Sequence, residues 1–250
     1  TASLVLSGCG GNAEGGNSEA NTQGGQANAE GSDKKEEASS KDEIKDLYIA
    51  RLATRELETF NILYTQRAED GENLTSLVDG LLESNPKGEL VPCIAEEWGS
   101  EDGGLTWKFK VREGVKWVDV NGNEKADCNA QDFATGLEWV LNFYKNDSNN
   151  TAMPIEMIKG AKEYYEYTKT LSEDEAKALT AGEGSKFREM VGLETPDDHT
   201  VVYHCVTEKP YFDSLASYVA LYPMSQGMVD ELGGAGAVKA MNNENMWYNG

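Results

Sequence analysis

"LTWKFKVREGVKW", Leu105 to Trp117, decides how this chain of 250 residues is read. Leu105, Trp107, Phe109 and Val111 alternate with Lys108, Lys110 and Arg112. Neighbouring side chains on a strand point to opposite faces, so the run predicts a strand with one face buried and the other in water. Asn121-Gly122 then marks a tight turn. Past the turn, Asn129 is the predicted N-cap of a helix whose apolar stripe is Phe133, Leu137, Val140, Leu141 and Tyr144. Strand, turn and capped helix in close succession point to an α/β protein.

The same pattern continues outward. Upstream, "LYIARLA" from Leu47 predicts a strand, with Thr54 to Asn61 as loop. Leu74, Leu77, Val78, Leu81 and Leu82 share one helical face, and Asn85-Pro86-Lys87-Gly88 stops it. Downstream, Tyr164 to Gly184 is polar and helix-prone, expected to be exposed, with Ser172 capping "EDEAKAL". Pro196-Asp197-Asp198 predicts a turn before "TVVYHCVTE", an interior strand apolar on both faces. Lys209-Pro210 opens "YFDSLASYVAL", where Phe212, Leu215 and Tyr218 to Val219 predict a short buried helix. No internal repeat is visible.

Composition limits the partners. With 39% hydrophobic residues the chain can bury one substantial core or two smaller ones. The net charge is −22 and the 22 Lys and Arg form no clustered run, so nothing offers a nucleic acid a basic surface. Residues Gly10 to Glu43 hold net −5, leaving −17 for the remainder, so acidity is spread through the part that folds. Such a field repels anions and draws cations. No apolar run approaches the roughly 20 residues of a membrane span.

Gly10 to Glu43 contains no aromatic or branched aliphatic residue, too little apolar area to offset its ordering entropy. It reads as an acidic, Gly-rich disordered tether with an r.m.s. span on the order of 30 Å. Just before it, Leu6-Ser7-Gly8-Cys9 resembles the lipobox of bacterial lipoproteins. The resemblance implies a signal-peptide remnant over 1–9, without its initiator Met and basic front, and a lipid on Cys9 that moors the chain to a membrane. Two acyl chains suffice for stable anchoring.

Four blocks in order carry a second resemblance: "SLVDGLLESNPKGELVPCIAEEWGSEDGGLTWKFKVREGVKW" (Ser76 to Trp117), "NAQDFATGLEWVL" (Asn129 to Leu141), "VGLETPDDHTVVYHCVTEKPYF" (Val191 to Phe212) and "LYPMSQGMVDELG" (Leu221 to Gly233). From about Leu47 to Gly250 the chain resembles the family 5 extracellular solute-binding proteins, the oligopeptide- and dipeptide-binding receptors of ATP-binding-cassette (ABC) importers. It departs from them in a longer loop between Trp117 and Asn129 and in Cys128-Asn129, where Val-Thr is common.

The resemblance implies a type II periplasmic-binding-protein-like fold of cluster C, here its N-terminal portion, a mixed sheet with flanking helices and the second lobe missing. The domain division it implies starts lobe I at 44–75, inserts a family-specific extra domain at 76–195 and returns to lobe I at 196–250. Ligand contacts would come from Arg67, Ala68, Glu69 and Asp70, read as a loop before the first helix, and from Asn249 and Gly250 bordering the cleft. The implied function is non-catalytic capture of peptides and their delivery to ABC permease subunits. The receptor would be a monomer without cofactor on the outer face of a bacterial cytoplasmic membrane of Gram-positive type. With one cleft wall, these 250 residues alone are expected to bind weakly. Alternatives are a receptor of this fold for a nickel chelate, haem or oligosaccharide, or an extracytoplasmic hydrolase or adhesive scaffold.

Other chemistry is thinly supported. Asp119 to Asp127 places oxygen side chains as a calcium loop does, but Glu124 stands where the loop needs Gly and Ala130 where it needs a bidentate Glu, so a hairpin turn is expected. His199 and His204, the only histidines, are expected to be structural. Cys93, Cys128 and Cys205 allow at most one internal disulfide. Trp98, Trp107, Trp117 and Trp139 are expected in the core or scaffold rather than stacked on sugar. G-x-S-x-G and H-E-x-x-H are absent.

Overall fold

A computed structural model describes residues 57, 59–64, 67–145 and 150–249. Cys9, the tether over 10–43, the strand expected from Leu47 and Gly250 lie outside the described residues.

The chain runs through α1 (Ala68–Leu74), β1 (Leu82–Ser84), β2 (Leu90–Pro92), β3 (Ala95–Gly99), β4 (Thr106–Val111), β5 (Lys116–Val118), β6 (Glu124–Asp127) and α2 (Ala130–Leu141). Four helices follow: α3 (Ala152–Met157), α4 (Ala161–Lys169), α5 (Glu173–Lys177) and α6 (Lys186–Met190). Then come β7 (Leu193–Asp197), β8 (Thr200–His204), α7 (Phe212–Leu215) and α8 (Gln226–Glu231).

The main sheet has the order β3-β4-β8-β7, with two hairpins, β1-β2 and β5-β6, beside it. Every pairing between named strands is antiparallel. From Thr106 on, β4 is the strand its alternation predicts: Trp107, Phe109 and Val111 are buried while Lys108, Lys110 and Arg112 face water, but Leu105, expected on the buried face, precedes the strand and is 40% exposed. β8 is interior, between β4 and β7, as expected. It is not apolar on both faces: Val201 and Tyr203 are fully buried, whereas Val202 and His204 are half-buried on the outer side. β7 runs across position 195, and β8 beyond it pairs with β4, so the sheet is continuous through that point.

Asn129 caps α2 as expected, in a capping box closed by Asp132. The helix is buried nearly all round rather than along a stripe. It ends at Asn142, so Tyr144 lies beyond it. Ser172 caps α5 in a second box with Glu175. The segment around it is not simply exposed, because Tyr164, Thr168 and Ala176 are fully buried. The cause is a polar hub on α2. Glu138 accepts from Tyr164 Oη at 2.8 Å, Asn142 Nδ2 at 2.9 Å and Lys145 Nζ at 2.6 Å. Lys145 Nζ also reaches the Leu179 carbonyl.

The helix expected over Leu74 to Leu82 is displaced. α1 stops at Leu74, and by Gly80 the chain is pairing across: Ile94 N–H donates to the Gly80 carbonyl and Ala95 N–H to Leu81. Leu74, Val78, Leu81 and Leu82 are buried all the same, so their spacing reports burial and tertiary pairing overrides helix. Asn85 to Gly88 forms the β1-β2 hairpin turn instead of a helix stop, with Asn85 Oδ1 accepting from the Lys87 and Glu89 amides. The helix expected over "YFDSLASYVAL" breaks into α7 and a 3-10 turn at Val219–Leu221, leaving Tyr218 exposed.

Asp119 accepts from the Asn121 and Asn123 amides and from Asn123 Nδ2, and Gly122 takes φ 78°, so the calcium-like stretch is a hairpin turn. His204 bridges β8 to Thr106 Oγ1 and Glu194 Oε1. Trp107, Trp117 and Trp139 are buried and Trp98 packs against the core. Cys93, Cys128 and Cys205 are free thiols.

Candidate functional site

The residues expected to meet ligand fall at the entrance of α1. Arg67 is its extended N-cap residue, and Ala68, Glu69 and Asp70 form its first turn rather than a loop. The displacement of the helix explains this correction: α1 occupies the stretch read as its approach. Two acids in a first turn suit the positive end of the helix dipole. Asp70 is buried at 1% exposure, whereas Ala68 is exposed.

At the other end of the described chain, Tyr248 exchanges both backbone hydrogen bonds with Val118, which adds this segment to the β5 edge. Asn249 is thereby aimed at the turn after α1. Its Oδ1 accepts from the Asp79 amide at 2.8 Å, its own N–H donates to the Leu77 carbonyl, and its Nδ2 lies 3.5 Å from Cys128 Sγ. Leu77 and Val78 both donate back to the Leu74 carbonyl. Asn249 and the 67–70 stretch are therefore linked through residues 74–79.

Beneath this turn lies a buried polar layer. Trp117 Nε1 donates to Asp132 Oδ2 at 2.9 Å, and the same oxygen accepts from the Asn129 amide. Burial raises the Asp132 carboxyl to about 6, the two hydrogen bonds opposing it. Burial, aided by Asp132, also raises the Cys128 thiol. Closer to solvent, burial pushes the Cys93 thiol up to about 12, with Asp79 and Glu83 adding to it. Tyr222 rises to about 12 through burial and the same neighbours.

Asp79, Glu83, Cys93 and Tyr222 were not legible as a group in the sequence, since three separate segments supply them. One signal was present: Asp79 interrupts the apolar run "SLVDGLL", where a buried-face acid needs a reason.

A depression of about 1400 Å³ lies elsewhere, on the outer face of the main sheet. Its wall mixes Glu96, Glu97, Lys108, Lys110 and Arg112. Glu96 and Lys110 pair at 2.5 Å on an exposed surface, and Lys110 holds the Glu96 carboxyl below its usual range. Exposed and self-paired, this face presents no convergent polar group.

A family model for bacterial extracellular solute-binding proteins, family 5 (middle region), matches residues 89–250. The chain belongs to this family. Family 5 relatives include the oligopeptide-binding protein SarA of Streptococcus gordonii, 31% identical over 77% of this chain and 26% of SarA. The periplasmic oligopeptide-binding protein OppA of Haemophilus influenzae is 28% identical over 72% of this chain and 29% of OppA. The crystal structure of H. influenzae OppA complexed with RPPGFSPFR superposes with a TM-score of 0.60 at 25% identity, covering 78% of this chain and 33% of that one. A periplasmic oligopeptide-binding protein of Borrelia burgdorferi gives a TM-score of 0.62 at 19% identity, covering 78% of this chain and 34% of its own, which supports the fold. The mixed α/β fold is thus that of the OppA-like binding proteins. The chain spans about a quarter of the length of the curated family 5 relatives it matches. No helix among the described residues is long and apolar enough to cross a membrane.

Proposed function

We propose that this chain belongs to a receptor that captures peptides outside the cytoplasm and delivers them to the permease of an ABC importer. The observation that carries this reading is the family 5 match over residues 89–250, joined by relatives whose names are those of oligopeptide-binding proteins. Binding of this kind needs no covalent step. Two lobes close on the solute because the closed state makes the better contacts, a population shift. Peptides held mainly through their main chain, with hydrated side-chain pockets, give broad selectivity.

In this reading Arg67, Ala68, Glu69, Asp70, Asn249 and Gly250 border the ligand. Residues 44–75 and 196–250 belong to one lobe, with 76–195 as the inserted domain. The receptor works as a monomer, performs no catalysis, and is moored through a lipid on Cys9 at the outer face of the membrane. Isothermal calorimetry of the full-length gene product with a mixed library of short peptides tests capture. Saturable binding is expected, and its absence across the library would remove the peptide assignment. Labelling of cells with a fatty-acid analogue tests the anchor: label should be incorporated and then lost in Cys9→Ala.

A further inference from the structure

Asn249 spends its side chain inside the protein. Its Oδ1 accepts from the Asp79 amide at 2.8 Å, and its Nδ2 lies 3.5 Å from both the Asp79 carbonyl oxygen and Cys128 Sγ. Its main-chain N–H donates to the Leu77 carbonyl at 3.4 Å. An asparagine side chain has one oxygen acceptor and two N–H donors, so these contacts engage both of its polar atoms.

The turn it holds has no substitute support. Among the described residues, every hydrogen bond from the backbone of 77–79 to a distant part of the chain goes to Asn249. The other two, from the Leu77 and Val78 amides, are local and end on Leu74, the last residue of α1. Asn249 itself stands on a firm base. Tyr248 exchanges both backbone hydrogen bonds with Val118 at 2.8 Å, and Met246 and Trp247 before it are 2% and 6% exposed. A fixed segment thus grips a turn whose backbone nothing else ties down, and that turn runs on directly from α1.

A turn already ordered when ligand arrives adds nothing to the cost of binding. One that opens must first be found closed, which lowers the apparent affinity by the closed fraction. That penalty falls on association, whereas loss of a direct contact shows mainly in dissociation.

We propose that Asn249 is a positioning residue for peptide capture: its side chain pre-orders the 77–79 turn, and α1 before it, and acts on the peptide through them without touching it. The role rests on the peptide-capture reading above. Cys128, only 3% exposed and out of a peptide's reach, belongs to the same clamp because its sulfur receives Nδ2.

Stopped-flow fluorescence of the full-length gene product tests this, with a fluorescein-labelled copy of the tightest binder in the mixed peptide library as probe. In Asn249→Ala, association should slow by about threefold to tenfold while dissociation stays within about twofold of the parent. Cys128→Ala should slow association by about twofold alone and add nothing in the Asn249→Ala background, since contacts within one unit are not additive. Unchanged amide exchange in β4 verifies the fold of each variant. Should Asn249→Ala fail to fold, Cys128→Ala decides alone, an unchanged association rate counting against the clamp. Faster dissociation of Asn249→Ala with association unchanged would place its amide on the peptide and overturn the proposal. Equal slowing by Cys128→Ala in both backgrounds would overturn it too. A parent that binds no library member would remove peptide capture and this role together. A parent that binds, with Asn249→Ala unchanged in both rates, would leave capture intact and remove the role alone.

Discussion

Trp117 Nε1 donates to Asp132 Oδ2, and that oxygen also receives the Asn129 amide that opens α2. One buried carboxylate therefore joins the β5-β6 hairpin to the start of the central helix. Its folded-state pKa, about 6 against an ordinary 3.8, means the native state holds the proton more strongly than the unfolded chain. The stability linked to this group is present below about pH 4 and is lost as pH rises towards and through 6. At about 1.4 kcal/mol per pKa unit, the loss amounts to at most about 3 kcal/mol. Asp132→Asn should flatten this part of the profile. Urea unfolding from pH 4 to 7 should show the variant gaining on the parent as pH rises, and a constant difference would refute the assignment.

Glu138 and Lys145 form an ion pair with side chains only 2% and 6% exposed. Removing one charge strands the other, so Lys145→Met should cost about 3–5 kcal/mol in chemical denaturation. Glu138→Gln combined with Lys145→Met keeps acceptors for Tyr164 and Asn142 without the stranded charge. That double variant should be more stable than Lys145→Met alone. The opposite order would mean that the hydrogen bonds, not the charge balance, dominate the hub.

Two glycines should respond differently to alanine. At Gly136 the added Cβ meets the Tyr222 carbonyl at 2.2 Å, and neither backbone can yield easily, so the loss should reach about 3 kcal/mol. At Gly122 no atom lies within 4 Å and only the positive φ resists, costing about 1 kcal/mol. Thermal melts of both variants measure the contrast.

Asn249→Ala leaves the Asp79 amide without its acceptor. The expected cost is about 1–2 kcal/mol. Hydrogen exchange of the Asp79 amide should quicken by roughly tenfold or more while amides in β4 keep their protection. Uniform quickening would instead indicate global loss of stability.

The sequence was most legible where structure is set locally. The alternation of β4, the Asn129 and Ser172 capping boxes and the Asn121-Gly122 turn each depend on residues within a few positions. It misled where distant partners decide. Leu81 is drawn out of a helix by the Ala95 amide, and Tyr164 is buried by a carboxylate on another helix, 26 residues earlier. Asn249 was singled out as a cleft residue, yet its hold on Asp79 spans 170 positions. Tyr222 packs against Gly80 and Gly136 only because both lack side chains, which no periodicity encodes.

The three free cysteines among the described residues bear on how the chain would endure in the oxidising surroundings that the proposed function implies. Only the thiolate attacks a disulfide or an oxidant, and even Cys205, raised by burial to about 11, would carry it in about one molecule in ten thousand at pH 7. Chemical inertness, rather than cross-linking, would then guard the fold against scrambling in an oxidising environment.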